Sequence, residues 1–180
     1  MSELFYPRFC KNKMRPLETE RLVLREFTKE DSGFILELLN TEEWLKYIGD
    51  RDVNNEQQGV DFIEGRLRPS YTEHGFGFFL VESKKDRAPM GMCGLVKREG
   101  LENIDLGFAF LPEYFGKGFA FESCISVIQF AKTDLKVNML DAITMSINKN
   151  SIALLERLGF HYKRNVVLNE EELMLFRKRL

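Results

Sequence analysis

Hydrophobic residues recur along the chain at two spacings, which divide it into strands and helices. Alternating or continuous β-rich apolar runs predict strands over residues 21–27, 78–82, 90–97, 104–111, 137–145, 160–167 and 172–178. Spacings of three and four predict helices from the capping Thr28 to Asn40, over 41–48 and 55–66, from Phe119 to about 131, and over 152–158. Residues 69–77 show no such period and are predicted to be a linker.

The lengths of the connections predict how the strands pair. Short turns join strands 78–82, 90–97 and 104–111, so these should pair antiparallel. A long helix separates 104–111 from 137–145, and such a crossover makes that pair parallel. We therefore expect an α/β fold: a mixed, mostly antiparallel, twisted sheet of about seven strands flanked by helices. Residues 1–16 have no period and form an N-terminal extension to a single domain over 17–180.

The strand predicted over 104–111 is followed by a glycine loop that has the features of an anion site. Pro112 ends the strand, Gly116 and Gly118 flank Lys117, and a helical pattern begins at Phe119. The first N–H groups of a helix lack backbone partners and its dipole favours negative charge, so the loop is interpreted as a pyrophosphate cradle. The alternative is a turn that needs glycine for steric reasons alone. Neither the P-loop pattern nor the dinucleotide-binding pattern is present.

Composition excludes several classes of function. The formal net charge of −2 gives no electrostatic support for a nucleic-acid partner. No apolar run is long enough to span a membrane and no signal peptide is visible, so a cytoplasmic location is expected. Three cysteines make no disulfide framework, and the two histidines lack metal-ligand spacing. No metal is expected.

Three segments resemble the GNAT superfamily of acetyl-CoA-dependent N-acetyltransferases, and most closely its Rim-type group, which acetylates ribosomal-protein N-termini. The first is Leu-Glu-Thr-Glu-Arg-Leu-Val-Leu-Arg over residues 17–25. The second joins Gly-Phe at 107–108 to Phe-Gly-Lys-Gly-Phe-Ala-Phe-Glu over 115–122. The third runs from Asn148 and Ser151 to Glu-Arg-Leu-Gly-Phe over 156–160. Their order and spacing make the resemblance specific.

The resemblance implies acetyl transfer from acetyl-CoA to a primary amine, by direct attack in a ternary complex. The acceptor would be a protein N-terminus or a small-molecule amine, and the enzyme a monomer or homodimer. Coenzyme A would lie between splayed central strands, held by backbone groups near Phe108, Ala109, Phe110 and Leu111, one of which would polarise the thioester carbonyl. The amides of Phe115, Gly116, Lys117, Gly118, Phe119 and Ala120 would bind the pyrophosphate. Asn148 and Ser151 would contact the pantetheine arm or the leaving sulfur.

The chain departs from the family pattern in two places. Glu113 stands where many relatives have Gln or Arg, which removes one potential phosphate contact. Leu155 stands where many have the Tyr that protonates the leaving thiolate. Ser151, which the Rim-type group uses instead, is therefore assigned as the acid. The alternative is that Ser151 only caps its helix.

The general base is less defined by the sequence. Direct attack needs a neutral amine, and at pH 7 about a tenth of α-amines but less than a thousandth of lysines are neutral. Asp105 and Glu102 lie at the start of the cofactor strand, and Asp105 is assigned as the base; a solvated surface carboxylate is the alternative for each. Residues 170–172 are all Glu and would attract a cationic substrate.

Three other side chains are weighed against a structural role. Cys124 lies on an apolar helix face, and direct transfer needs no cysteine nucleophile. Trp44 and Tyr47 would line the acceptor pocket or pack in the core.

Two other functions stay open: a non-catalytic acyl-CoA-binding or regulatory module, favoured by Leu155, and a phosphate-binding domain on another fold.

Overall fold

An eight-stranded sheet is the framework of residues 14–180, the part of the chain that a computed structural model describes. The strands are β1 (Leu17–Glu18), β2 (Leu22–Glu26), β3 (Phe78–Ser83), β4 (Pro89–Val96), β5 (Asp105–Phe110), β6 (Met139–Thr144), β7 (His161–Leu168) and β8 (Glu171–Arg179). Their order in the sheet is β1-β2-β3-β4-β5-β6-β8-β7. All neighbours are antiparallel except β5 and β6, which are parallel.

The predicted architecture is confirmed, with one strand more than the seven listed from the pattern. The addition is β1, only two residues long, which pairs with the start of β2. The closing strands pair as predicted, but β8 rather than β7 lies beside β6. The long connection between β5 and β6 explains their parallel direction, because its helix returns the chain to the end of the sheet where β5 began.

Within residues 14–180, six α-helices cover the sheet: α1 (Ser32–Leu39), α2 (Glu42–Tyr47), α3 (Glu56–Phe62), α4 (Arg68–His74), α5 (Phe119–Thr133) and α6 (Lys149–Arg157). Helix α3 is capped by Asn55, whose side chain accepts a hydrogen bond from the Gln58 N–H at 3.0 Å. Just after the end of α6, Gly159 has φ of 82° and Phe160 N–H donates to the Leu155 carbonyl. This is the Schellman turn that the Gly-Phe pair predicts.

The linker predicted over 69–77 is wrong, because helix covers most of it. A π-helical turn over Ile63–Leu67 joins α3 to α4, and α4 runs to Gly75, whose φ is 72°. Pro69 has no N–H and its ring crowds the preceding turn, so an α-helix alone is strained there. The wider π turn immediately before Pro69 absorbs that mismatch and lets the helix continue.

The two faces of the sheet bury separate cores. Leu80 on β3 packs with Phe27, Ile35 and Trp44 beneath the helices α1 to α4. The next residue, Val81, belongs to the opposite face, in the cluster that includes α5 and α6. This alternation is what a pleated strand buried on both faces requires. The sheet is thus sandwiched between two helical layers.

The predicted N-terminal extension lies mostly outside the described residues. Of its last three residues, Met14 donates its N–H to Glu26 at 2.7 Å and packs against the core. Within residues 14–180, no helix is both long and apolar enough to cross a bilayer.

Candidate cofactor and catalytic site

Strands β5 and β6 touch at one end and diverge at the other. Their only registered pair is Asp105 with Asp141, next to a hydrogen bond from Asp141 N–H to the Ile104 carbonyl at 2.9 Å. Beyond that point β5 continues to Phe110 without a ladder to β6, although its other edge pairs fully with β4. The sheet is therefore split along the C-terminal halves of both strands, as the predicted splay requires.

A cavity of about 780 Å³ follows this split. Its walls include the diverging strands, the glycine loop, the first turns of α5 and α6, helices α1 and α2, and the β7–β8 turn. One continuous space thus joins the glycine loop to the opposite side of the sheet. A space of this size and shape suits a long cosubstrate that enters from one side and an acceptor that enters from the other.

The glycine loop has the backbone conformation that its sequence predicts. Pro112–Tyr114 form one 3₁₀ turn, Gly116 and Gly118 have φ of 70° and 80°, and α5 begins at Phe119. A Cβ at Gly116 would meet nothing within 4 Å, so that residue faces open space. The first N–H groups of α5 have no carbonyl partner within the helix, and the dipole adds to their attraction for an anion.

Most of the residues predicted to bind coenzyme A line this cavity. They are Phe108, Ala109, Phe110, Phe115, Gly116, Gly118, Phe119, Ala120, Asn148 and Ser151. Leu111 instead packs in the core under α1 to α4, and the Lys117 side chain lies with Nζ 5.8 Å from the Tyr114 ring. For these two, only their backbone groups suit the predicted role.

Ser151 is not the cap of its helix. The side-chain oxygen of Asn148 caps α6 by accepting the Ser151 N–H at 3.0 Å. Within residues 14–180 the Ser151 hydroxyl has no hydrogen-bond partner, and the residue is half-buried at the cavity wall. The cap alternative is thus excluded, and the hydroxyl is available to a bound group.

Leu155, at the position where many relatives have Tyr, is buried at the cavity wall. Another phenol lies in the same cavity: Tyr114, packed edge-on against Phe119 with ring centroids 6.2 Å apart. Sequence reasoning missed Tyr114 because the family pattern draws attention to α6 rather than to the turn before the glycine loop. Burial raises the pKa of the Tyr114 hydroxyl.

Asp105 lies in the cavity wall at the point where the strands part. It is 1% exposed, and its only side-chain partner among the described residues is Arg98, whose Nη2 and Nε lie 3.2 and 3.3 Å from Oδ2. Oδ1 is buried with no hydrogen-bond partner in the described chain. Burial raises the pKa of Asp105 to about 6, against the lowering effect of Arg98, and the neighbouring Asp141 charge adds to the rise. A buried, incompletely paired carboxylate of this kind suits proton transfer.

Glu102, the other candidate base, points elsewhere. It is about 70% exposed and pairs with Arg177 at 3.0 Å. Arg177 in turn holds Asp141 at 2.6 and 3.0 Å. Glu102 does not line the cavity, so the structure leaves Asp105 as the carboxylate of the pair that faces it.

The far end of the cavity is walled by aromatic and charged side chains. Trp44 and Tyr47 of α2 both line it, and the Trp44 indole donates to the Gly49 carbonyl at 3.1 Å. Arg51 also lines the cavity, as does Glu171, the first residue of β8 and part of the acidic cluster predicted to attract cations. Both readings of Trp44 hold, since it is buried in the core and also lines the cavity.

Cys124 is not placed for catalysis. It is fully buried, with its Sγ 3.7 Å from that of Cys93, and burial raises the pKa of its thiol. A buried neutral thiol is a poor nucleophile. The described residues also contain no group of three or more His, Cys, Asp or Glu that could hold a metal ion.

Comparison with known proteins supports the resemblance to the GNAT acetyltransferases that the sequence motifs indicate. The family model described as an acetyltransferase (GNAT) domain matches residues 21–161. The chain is 25% identical over 146 residues to the uncharacterized N-acetyltransferase YoaA of Bacillus subtilis, a match that covers 80% of this chain and 81% of YoaA.

Solved structures share the fold. The acetyltransferase from Agrobacterium tumefaciens superposes with a TM-score of 0.80 at 17% identity, covering 96% of this chain and 98% of that one. RimL, a ribosomal L7/L12 α-N-protein acetyltransferase solved in complex with coenzyme A, superposes with a TM-score of 0.76 at 14% identity, covering 92% and 98%.

Proposed function

The chain belongs to the GNAT acetyltransferase family, and on that premise we propose that it is an acetyl-CoA-dependent N-acetyltransferase acting on a primary amine. The observation that carries the proposal is the split between β5 and β6. It opens one cavity that contains both the glycine loop and the buried carboxylate of Asp105. Acetyl-CoA, when bound, supplies the acetyl group as a reactive thioester.

The residues of the split fit such a cosubstrate. On the edge that faces β6, the β5 backbone from Phe108 to Phe110 has no strand partner, so the polar groups on that edge are free to bond an amide-rich arm. An N–H of this stretch would also stabilise negative charge on the thioester oxygen. At the wider end of the split, the backbone amides of residues 115–120, which include Gly116 and Gly118, would bind the pyrophosphate.

Asp105 is proposed as the proton acceptor for the attacking amine. With a pKa of about 6, it is mostly ionised at pH 7 yet basic enough to take a proton. An α-amine, of which about a tenth is neutral at pH 7, needs modest help, whereas a lysine needs more. A protein N-terminus or a small-molecule amine of similar pKa is therefore the proposed acceptor.

Ser151 is proposed as the proton donor to the leaving sulfur. Its hydroxyl is unpartnered in the described chain, lines the cavity, and is held by α6, which Asn148 caps. Leu155 leaves no phenol at the usual place on that helix. A thiol of ordinary pKa leaves readily near neutral pH, so this donor should contribute less than Asp105.

The test is thiol release from acetyl-CoA in the presence of an amine panel that contains peptide α-amines, a lysine side chain blocked at its α-amine, a polyamine and an amino sugar. Release that depends on one class of amine supports the proposal. Tight coenzyme A binding without amine-dependent release would make the protein a non-catalytic acyl-CoA-binding module, which the Leu155 departure favours. If calorimetry detects no coenzyme A binding at millimolar concentration, the glycine loop serves another phosphate ligand.

A further inference from the structure

The turn between β1 and β2 lies against the glycine loop, although the two are about 100 residues apart in sequence. Three residues make the contact: Thr19 and Arg21 from the turn and Glu122 from the first turn of α5. Neither Thr19, Arg21 nor Glu122 lines the cavity, so none is part of the site described above.

The Glu122 carboxylate is bonded at both oxygens. Oε1 accepts the Thr19 hydroxyl at 2.6 Å and the Arg21 N–H at 2.9 Å. Oε2 accepts the Nε–H of Arg21 at 2.7 Å, and Nη2 of the same guanidinium forms an ion pair with Oε2 at 2.7 Å. These contacts at both carboxylate oxygens fix the guanidinium more tightly than a single surface contact does.

The remaining face of the Arg21 guanidinium reaches the glycine loop itself. Nη1 donates to the Lys117 carbonyl at 3.1 Å, and the guanidinium lies over the Phe119 ring, 4.4 Å from its centroid. A Cβ on Gly118 would come within 3.4 Å of Nη2. Arg21 therefore supports the loop from behind, at the residues whose amides are proposed to face the pyrophosphate.

Charge gives this contact a second role. Glu122 carries a negative charge in the first turn of α5, where the proposed ligand is also an anion. Unpaired, that charge would be stabilised by the helix dipole, but it would offset the dipole's attraction for the pyrophosphate and repel that ligand. Burial raises the pKa of Glu122, but hydrogen bonds from Thr19 and Arg21 outweigh that effect and hold it below its usual range, so the carboxylate is ionised. Arg21 is the cation that neutralises it.

We propose that Thr19, Arg21 and Glu122 form a clamp that fixes the glycine loop in its anion-binding conformation, with Arg21 as a positioning residue for the pyrophosphate of acetyl-CoA. The inference rests on the proposed function. Because the clamp acts on the phosphate end, its removal should weaken acetyl-CoA selectively and spare an acyl donor that has no pyrophosphate.

The experiment compares two acyl donors, acetyl-CoA and S-acetylpantetheine, which lacks the pyrophosphate and nucleotide. In Arg21→Met, KM for acetyl-CoA should rise at least tenfold, while kcat/KM for S-acetylpantetheine should change by less than about twofold. Arg21→Met/Glu122→Gln should recover at least threefold of that loss, because it removes the unpaired carboxylate. In calorimetry, Arg21→Met should likewise weaken the affinity for coenzyme A, and the double variant should partly restore it.

Arg68→Met is the matched control. Arg68 pairs with Glu64 at 3.4 Å and its side chain is 44% exposed, against 45% for Arg21, but it lies on α4. It should leave both donors unchanged. Arg21→Lys, which keeps the charge without the fork, should fall between wild type and Arg21→Met and serves if the latter does not fold.

Three outcomes would overturn the clamp. If Arg21→Met lost equal activity with both acyl donors, Arg21 would have a general structural role. If KM for acetyl-CoA were unchanged in that variant, Arg21 would have no role in positioning the pyrophosphate. A double variant no better than Arg21→Met would overturn the proposal that Arg21 acts by neutralising Glu122 within the clamp. Failure of the wild-type protein to bind coenzyme A would instead refute the proposed function, which separates the two conclusions.

Discussion

Asp105 and Asp141 are neighbours at the point where the sheet splits, yet they are bonded differently. Asp141 is fully buried and accepts Arg177 at both oxygens, with a further bond from Asn103 at 3.1 Å. Asp105 is almost as buried, but it has one longer pairing to Arg98 and an oxygen with no partner in the described chain. A saturated carboxylate stabilises a fold, whereas an unsaturated one stores the capacity to take a proton. The contrast supports the proposal that Asp141 has a structural role and that Asp105 accepts the proton.

The largest expected effect is on activity at Asp105. Asp105→Asn keeps the shape but removes the proton acceptor, so kcat/KM should fall by about a hundredfold, near the low end for general base catalysis. Coenzyme A affinity, measured by calorimetry, should hold within about twofold. A variant that retains more than a third of wild-type activity would end the contrast between the two carboxylates.

The pH dependence of stability gives the same residue a second test. The folded pKa of Asp105, about 6, lies above its ordinary value of 3.8. Its contribution to stability is therefore fully present below about pH 4 and is lost as pH rises through 6. Denaturant unfolding of wild type and Asp105→Asn at pH 4.5 and 7.5 should show a larger decrease for wild type. Parallel pH profiles would contradict the raised pKa.

At Asp141 the expected effect is on stability. Asp141→Asn leaves Arg177 with the exposed Glu102 alone, and we expect a loss of about 2 kcal/mol, below the usual range for buried pairs because Arg177 is partly exposed. Urea unfolding measures the change. Activity per folded molecule should fall less than fivefold; a loss as large as that of Asp105→Asn would mean that the two carboxylates act as one unit.

A smaller effect, on the pH dependence of kcat/KM, should follow from replacing Arg98. Its charge lowers the pKa of Asp105, so Arg98→Met should raise that pKa further. The acid limb of kcat/KM, centred near pH 6 in the wild type, should move up by roughly one pH unit, about 1.4 kcal/mol. A matched Arg177→Met should leave the limb nearer its wild-type position. Equal shifts would show that both arginines act on Asp105 alike.

The smallest effect is expected on the acid side. Ser151→Ala should lower kcat about tenfold without changing coenzyme A affinity, less than the roughly 10²–10⁴-fold usual for general acid catalysis, because the thiolate is a good leaving group. Because Asn148 rather than Ser151 caps α6, the melting temperature should stay nearly constant. A stability loss without a kcat loss would return Ser151 to a structural role, and no change in either would mean that the thiolate leaves unassisted.

Features that depend on a few consecutive residues were predictable from the sequence. The glycine loop, the Schellman turn at Gly159 and the parallel crossover follow from local backbone chemistry and connection length. The family resemblance rests on the same short motifs. The failure at 69–77 has a local cause too. The residue before a proline is usually a helix boundary, but here a π turn precedes Pro69 and the helix continues.

The tertiary structure alone decided which distant groups meet. Asp105 and Glu102 both lie near the start of the cofactor strand in the sequence, and only strand register buries the first beside Asp141 and turns the second toward Arg177. Likewise Arg21 and Glu122, 101 residues apart, meet only because α5 packs against β1 and β2, the strands that flank Arg21. Local propensity specifies strands, turns and caps, whereas burial and pairing of charges depend on long-range packing, which no short motif encodes.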